Sequence, residues 1–285
     1  MPRDRDDDRD DRDDDRPRRR YDDEDDRPRR RYDDDPPPKR GGGGVWIALG
    51  VIAAVLFICG GAAFFLLMPA VQKVRDAAAR AQTTNNLKQL TLGAHNYEMA
   101  QGKLPAPFAE RGQTGQPAPV NWSDRLSWRY ELLPYIEQDY LHKVIDAGQA
   151  WNSPANRQYT STPVKAFGDP LDPTEPNTRF RCFYDNGALF ATDPKERVSF
   201  SGVTDGIANT IMFVETADQV PWAQFNELKY DPNGPLPQLG HPKRDVILIG
   251  MADGSIKTVK KSINPNTLKS GITRAGNEFI TDPDW

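Results

Sequence analysis

VWIALGVIAAVLFICGGAAFFLLM, residues 45–68, is a run of 24 uncharged residues, and its reading decides how the rest of the chain is understood. A bilayer's hydrocarbon core is about 30 Å thick and takes about 20 apolar residues of helix to cross. Val45–Met68 is therefore long enough for one transmembrane helix. Past Pro69 the chain continues as AVQKVRDAAARAQTTNNLKQLTLGAHNY, residues 70–97. Val71, Val74, Ala78 and Ala81, then Leu87, Leu90, Ala94 and Tyr97, recur at three- and four-residue steps, with a shift near Thr84–Asn86. That spacing predicts an amphipathic helix, ending near Gly102 and ahead of Leu104-Pro105. Pro69 removes one helical hydrogen bond and marks a place for a kink. The two segments read together as a membrane anchor running on into the spine of a folded head.

Outward from this stretch, composition changes sharply. The first 40 of 285 residues hold 14 Lys/Arg and 17 Asp/Glu and no Val, Ile, Leu, Phe or Trp, and the unit RPRRRYDD occurs twice, at Arg16–Asp23 and Arg27–Asp34. With nothing apolar to bury, this tail is expected to stay disordered, and Gly41–Gly44 to act as a joint before the span. The tail's net charge is 14 − 17 = −3, leaving 23 − 24 = −1 for the other 245 residues. No basic surface is implied, so nucleic acid is not an expected partner. No small-residue cleavage site follows Met68, which favours a retained anchor over a removed leader. Lys and Arg flank both ends of the span, and the size of the following domain favours a cytoplasmic tail and an extracytoplasmic, periplasmic head. Gly50, Ala54, Gly60, Gly61 and Ala62 give the span small residues of the kind that let membrane helices self-associate.

The remaining sequence suffices for one substantial domain. Residues 103–125 read as a surface loop. Ser127–Leu133 reads as a short strand or turn and Pro134 as the first turn of a helix, with Trp128, Leu132, Leu133, Ile136, Tyr140 and Leu141 in the core. Ser153-Pro154 opens a further helix. Val198–Phe200 and Ile211–Glu215 read as strands. Gln219–His241 is a long loop with Trp222, Phe225 and Leu228 turned inward. Val246–Gly250 and Ser255–Val259, joined through Asp253-Gly254, form the clearest hairpin signal, because Asp-Gly tolerates the positive φ of a tight turn. Asn264-Pro265 caps a last short helix.

No motif for catalysis stands out: there is no G-x-S-x-G, H-E-x-x-H, Walker loop or C-x-x-C. Asp205-Gly206 and Asp253-Gly254 read as turns, His95 as a packed or partly exposed structural histidine, and Glu215 as pairing with an arginine or sitting in a partly buried network. Asp169, Asp172, Glu175 and Asp185 would offer oxygen ligands to calcium, but their Asp-Pro steps and spacing fit ordinary turns better. Cys59 lies in the apolar span and Cys182 in the head, so no disulfide is expected between them. No catalytic, cofactor-binding or metal-binding residue is assigned, no cofactor is expected, and the chain is read as a non-enzyme.

The run LLMPAVQ (Leu66–Gln72), the segment ARAQTTNNLKQL (Ala79–Leu90) and AHNY (Ala94–Tyr97) resemble the DUF1559 family, the pseudopilin-like proteins of planctomycete bacteria. SWRYELLPYIEQ (Ser127–Gln138), WNSPANR (Trp151–Arg157), TDGIANTIMFVE (Thr204–Glu215) and ADGSIKTV (Ala252–Val259) extend the likeness over about Leu66 to Ile280. The resemblance implies an α+β fold in which a long N-terminal helix lies on an antiparallel sheet, with the head outside the cytoplasmic membrane. It supplies no reaction. Typical members begin GFTLIELLVVIAI, a prepilin-peptidase site; here GGGGVWIALGVIAAVLF stands in its place, so processing and filament entry are not expected. The domain plan is then residues 1–44 tail and joint, 45–68 span, 69–102 amphipathic helix and 103–285 head. The expected role is a single-pass anchor in the cell envelope presenting a pilin-like head to other envelope proteins. The alternatives are a module whose loops Gly168–Asn186 and Gln219–His241 bind Ca²⁺, peptide or carbohydrate, and a subunit of a secretion or pilus-like assembly.

Overall fold

The computed structural model describes residues 43–111, 115–277, 280, 282, 283 and 285. The acidic and basic tail expected to be disordered lies outside the described residues. Two compact units divide at Gly61 and Ala62. The described part of the first is helical throughout, and Gly43–Gly61 is long and apolar enough to cross a membrane, with none of it buried. The helix α1 spans Gly43–Gln101 and so takes in Gly43, Gly44 and Pro69, while the rest of the expected joint, Gly41 and Gly42, lies outside the described residues.

In the second unit α1 stops where the sequence says it should. Gly102 takes φ +72° and donates its N–H to the Glu98 carbonyl at 2.7 Å, the left-handed closure that glycine allows at a helix C-terminus. The buried face of α1 differs from the expected stripe. Leu87, Leu90 and Ala94 are core, but Val71, Val74, Ala78 and Ala81 are exposed, and Ala79, Thr83 and Asn86 are buried instead. Ala79, Thr83, Asn86 and Leu87 follow one another at helical spacing on one side of α1. Polar contacts select that side: Asn86 Nδ2 donates to the carbonyls of Lys165 at 2.9 Å and Gly168 at 3.3 Å, and Thr83 Oγ1 accepts from Arg244 at 3.2 Å.

The buried part of α1 lies on a four-stranded antiparallel sheet of order β1-β3-β5-β6. Its strands are β1 (Asn177–Arg181), β3 (Ile211–Pro221), β5 (Val246–Met251) and β6 (Ile256–Lys260). A parallel pair, β2 (Phe183–Tyr184) and β4 (Leu228–Lys229), stands beside it. Gly250 permits the close approach: a Cβ there would lie 2.7 Å from Thr91 Cγ2 and 3.3 Å from Leu87. Leu248 and Met212 share the core under α1, whereas Ile247, Ile249 and Val214 join a second core on the opposite face. The helix α5 (Pro265–Ile272) covers that face with Leu268 and Ile272. A sheet covered on both faces explains why VILIGM and IMFV read as continuous apolar runs rather than alternating ones. The register between β3 and β5 shifts between Ile211 and Phe213, so Met212 and Phe213 both serve the α1 side. Gly254, at φ +80°, closes the β5–β6 hairpin, as the Asp-Gly pair predicts.

Other expectations need correction. Ser127–Leu133 is helical: α2 (Trp128–Leu132) is capped by the Ser127 side chain, which accepts from the Arg129 N–H. The chain then turns through Leu133–Ile136 into α3 (Asp139–Val144). Trp128, Leu132, Leu133, Ile136 and Leu141 are buried, but Tyr140 is 67% exposed, because α3 turns that position outward. Val198–Phe200 forms no strand; Phe200–Gly202 is a single tight helical turn. The strand β1 lies in a segment that reads as proline-rich loop. The helix α4 (Pro154–Thr160) starts as expected, with Ser153 accepting from Asn156 N–H. Cys59 and Cys182 are both free.

Candidate binding groove

On the sheet face covered by α5, the segment 234–242 does not close over the core and leaves a groove of about 640 Å³. Gly240 builds its first wall. It takes φ +77°, donates to the Glu215 carbonyl at 2.7 Å, and a Cβ there would sit 2.6 Å from the Val246 carbonyl oxygen. This tight passage lets the preceding residues run back beside β3, where the Ala217 N–H donates to the Gln238 carbonyl at 3.0 Å. Pro235, Leu236, Pro237 and Leu239 thereby form one side. Ile247 of β5, Ile263, and Pro265 and Leu268 of α5 form the floor and the other side. The wall of α5 is fixed by Asn264, whose side chain accepts from Asn266 N–H at 2.9 Å, and by Pro265 at the first helical position.

The lining is apolar apart from Gln238, Lys261 and Lys269, and contains no carboxylate. Lys261 Nζ donates to the His241 carbonyl at 2.9 Å and Lys269 Nζ to the Pro232 carbonyl at 2.8 Å. An ammonium has three donors, so each lysine is held in place with donors to spare.

Behind the groove, two buried ionic networks hold segment 238–245 against the rest of the head. Asp169 Oδ2 accepts from Arg179 Nε at 2.8 Å and Gln219 Nε2 at 3.3 Å, and lies 3.3 Å from His241 Nε2. Burial works to raise the Asp169 carboxyl, but the hydrogen bonds from Arg179 and the Leu171 N–H, with the charges beside it, hold it below the usual carboxylate range. Burial pushes the His241 imidazole down to about 4 against the pull of Asp169. Its Nδ1 accepts from the Lys243 N–H at 3.1 Å, as a neutral ring can. In the second network Glu215 Oε1 pairs with Arg244 at 3.0 Å, and Arg244 reaches Thr83 on α1. Burial pushes Glu215 up, with Arg244 opposing it.

A third ion pair lies deep in the other core. Arg129 NH1 meets Glu227 Oε1 at 2.8 Å, with both side chains fully buried. The expectation of an arginine partner for Glu215 is met by Arg244. The acids considered for calcium are not brought together: Asp169 is committed to Arg179 and His241, Asp185 accepts from Thr192 N–H and hydroxyl at 2.9 Å, and Asp172 and Glu175 are exposed. Among the described residues no three His, Cys, Asp or Glu side chains converge. His95 is half-buried and stacks on Phe200 at 4.1 Å. Asp253 accepts from the Ser255 N–H within its own turn, whereas Asp205 accepts from the N–H groups of Gly276 and Asn277 and so ties its turn to the C-terminal segment.

The loop Gln219–His241 does contribute a wall to the groove, whereas Gly168–Asn186 does not line it. Sequence reading misses the opposite wall, because Ile263, Pro265 and Leu268 read as an ordinary capped helix. The signal available was the run NGPLPQL, residues 233–239: apolar residues between prolines, with no period that would bury them.

Residues 72–194 match a family model described as "Protein of unknown function (DUF1559)". That segment takes in the head portion of α1, the helices α2–α4 and the strands β1 and β2, and ends before the groove residues. No curated protein matches, and no solved structure does.

Proposed function

We propose, from the premise that this chain belongs to the DUF1559 family, that it is a single-pass anchor displaying a pseudopilin-like head on the extracytoplasmic side of the cytoplasmic membrane for contacts with other envelope proteins. One observation carries this reading: a single helix, α1, supplies both an exposed apolar segment long enough to span a bilayer and the residues Leu87, Leu90 and Ala94 at the heart of the head's core. An exposed apolar run in water would be strongly unfavourable, and a bilayer removes that cost. The non-enzymatic reading is supported by the described ionic pairs Arg129–Glu227, Arg179–Asp169 and Arg244–Glu215, each of which ties structural segments together. The absence of a Phe-Thr-Leu-Ile-Glu sequence ahead of the span argues for a permanent anchor over a processed filament subunit.

Mass spectrometry of the mature protein and protease treatment of intact cells test this together. The reading expects the RPRRRYDD repeats to remain on the mature chain, the head to be digested from outside, and the tail to be protected. Cleavage ahead of Val45, or a protected head with a digested tail, would contradict it.

A further inference from the structure

We infer that the groove between segment 234–242 and α5 is a docking site for an extended acidic-apolar peptide of a partner protein. This rests on the reading of the head as an interaction module. The volume, about 640 Å³, falls in the range of about 300–1,000 Å³ typical of built binding sites. The floor is apolar and belongs to the core itself: Ile247, Ile263 and Leu268 are buried but line the groove. A partner side chain seated there would extend an existing core.

Three features select the occupant. The groove's charged lining residues, Lys261 and Lys269, are both cationic, and no lining acid offsets them, so the field favours a ligand with carboxylates. Each lysine is anchored through one donor to a backbone carbonyl, which positions the remaining donors without further ordering. The wall contains Pro235, Pro237 and Pro242. Prolines have a fixed φ, so this wall loses little entropy on binding. The rim residues Pro235, Pro237 and Lys261 are exposed, which leaves room for a chain to enter and leave along the groove rather than end inside it.

The test uses the full chain in nanodiscs of zwitterionic lipid, so that neither detergent nor lipid charge competes. The probe is a fluorescein-labelled hexapeptide alternating leucine and glutamate, with a leucine–lysine counterpart as control, read by anisotropy. The acidic probe is expected to bind saturably and at least tenfold more tightly than the basic one. The double variant Lys261→Glu with Lys269→Glu is expected to invert that preference, an outcome only a folded protein can give. Leu236→Asn is expected to weaken the acidic probe about fivefold. Absence of saturable binding overturns the inference. So does equal binding of both probes, or a preference that the double variant leaves unchanged. Displacement by sodium laurate without discrimination between probes would assign the groove to acyl chains and also overturn it. None of these failures bears on membrane anchorage, which fractionation reads separately.

Discussion

Removing one partner of the Arg129–Glu227 pair should cost the head more than any other single polar change. Both side chains are fully buried. Arg129 reaches Ser127 Oγ at 2.6 Å and the carbonyls of Phe180 and Trp222. Glu227 accepts from Ser127 at 3.1 Å and, through Oε2, from the Cys182 N–H at 2.8 Å. The pair thus joins the cap of α2 to the end of β1 and to the segment before β4. Glu227→Leu would strand a guanidinium away from water, which costs about 3–5 kcal/mol, and would leave the Cys182 N–H without its acceptor. Arg129→Met should cost a similar amount by stranding the carboxylate. The double variant removes both charges, so what loses its partner is uncharged, the Ser127 hydroxyl and the backbone groups, at about 1–3 kcal/mol for each one left unsatisfied. The double variant should therefore be more stable than either single variant. Urea unfolding of the full-length protein in micelles, followed by tryptophan fluorescence, reads this well, because Arg129 packs over Trp128 at 4.8 Å. Single variants losing under about 1 kcal/mol, or a double variant whose loss equals the sum of the two singles, would refute the reasoning.

Three further outcomes follow from the geometry. Gly250→Ala should destabilise the head by about 1–3 kcal/mol through overpacking, since the new methyl meets Thr91 at 2.7 Å; a Gly250→Ala, Thr91→Ser double variant should regain part of the loss in the same urea assay. Burial, with Glu110's charge adding to it and Arg197 opposing, raises the Glu131 carboxyl from its ordinary 4.5 to about 7. The folded state then holds a proton that the unfolded state has released, so this group's stabilisation is full below about pH 4.5 and lost as pH rises to 7. Glu131→Gln should flatten the fall in melting temperature between pH 5 and 7.5, and an unchanged slope would count against it. His241 has the opposite sign: its folded value of about 4 lies below the ordinary 6.5, so its contribution is present above 6.5 and lost as pH falls to 4. His241→Gln should shallow the acid limb of the melting profile, and an unaltered limb would show that His241 does not titrate there.

The parts legible in the sequence are those fixed by local chemistry. The end of α1 at Gly102, the Ser153 and Asn264 caps and the Asp253-Gly254 hairpin all depend on residues within a few positions of one another. The parts that were not legible depend on distant partners. Val71, Val74, Ala78 and Ala81 have the same spacing as a buried stripe. Thr83 and Asn86 nonetheless turn another side of α1 inward, because Arg244, Lys165 and Gly168 await them there. Asn177–Arg181 has charged and polar alternate positions between proline turns, and becomes a strand only because β3 offers it an edge. Ser127–Leu133 is rich in the aromatic residues of strands, yet a Ser127 cap makes it a helix. The groove was half legible: its loop wall falls within Gln219–His241, a stretch the sequence marks as a long loop, while its α5 wall exists only through packing across the sheet.

The central claim is that Val45–Met68 holds the chain in a membrane while the same helix serves as the core of the head. Sequential extraction of membranes with high salt, alkaline carbonate and detergent, with the full-length chain followed by immunoblot, tests it most directly. The account predicts a chain that stays in the pellet through salt and carbonate and leaves it only in detergent. Release of the intact chain by salt alone would contradict it.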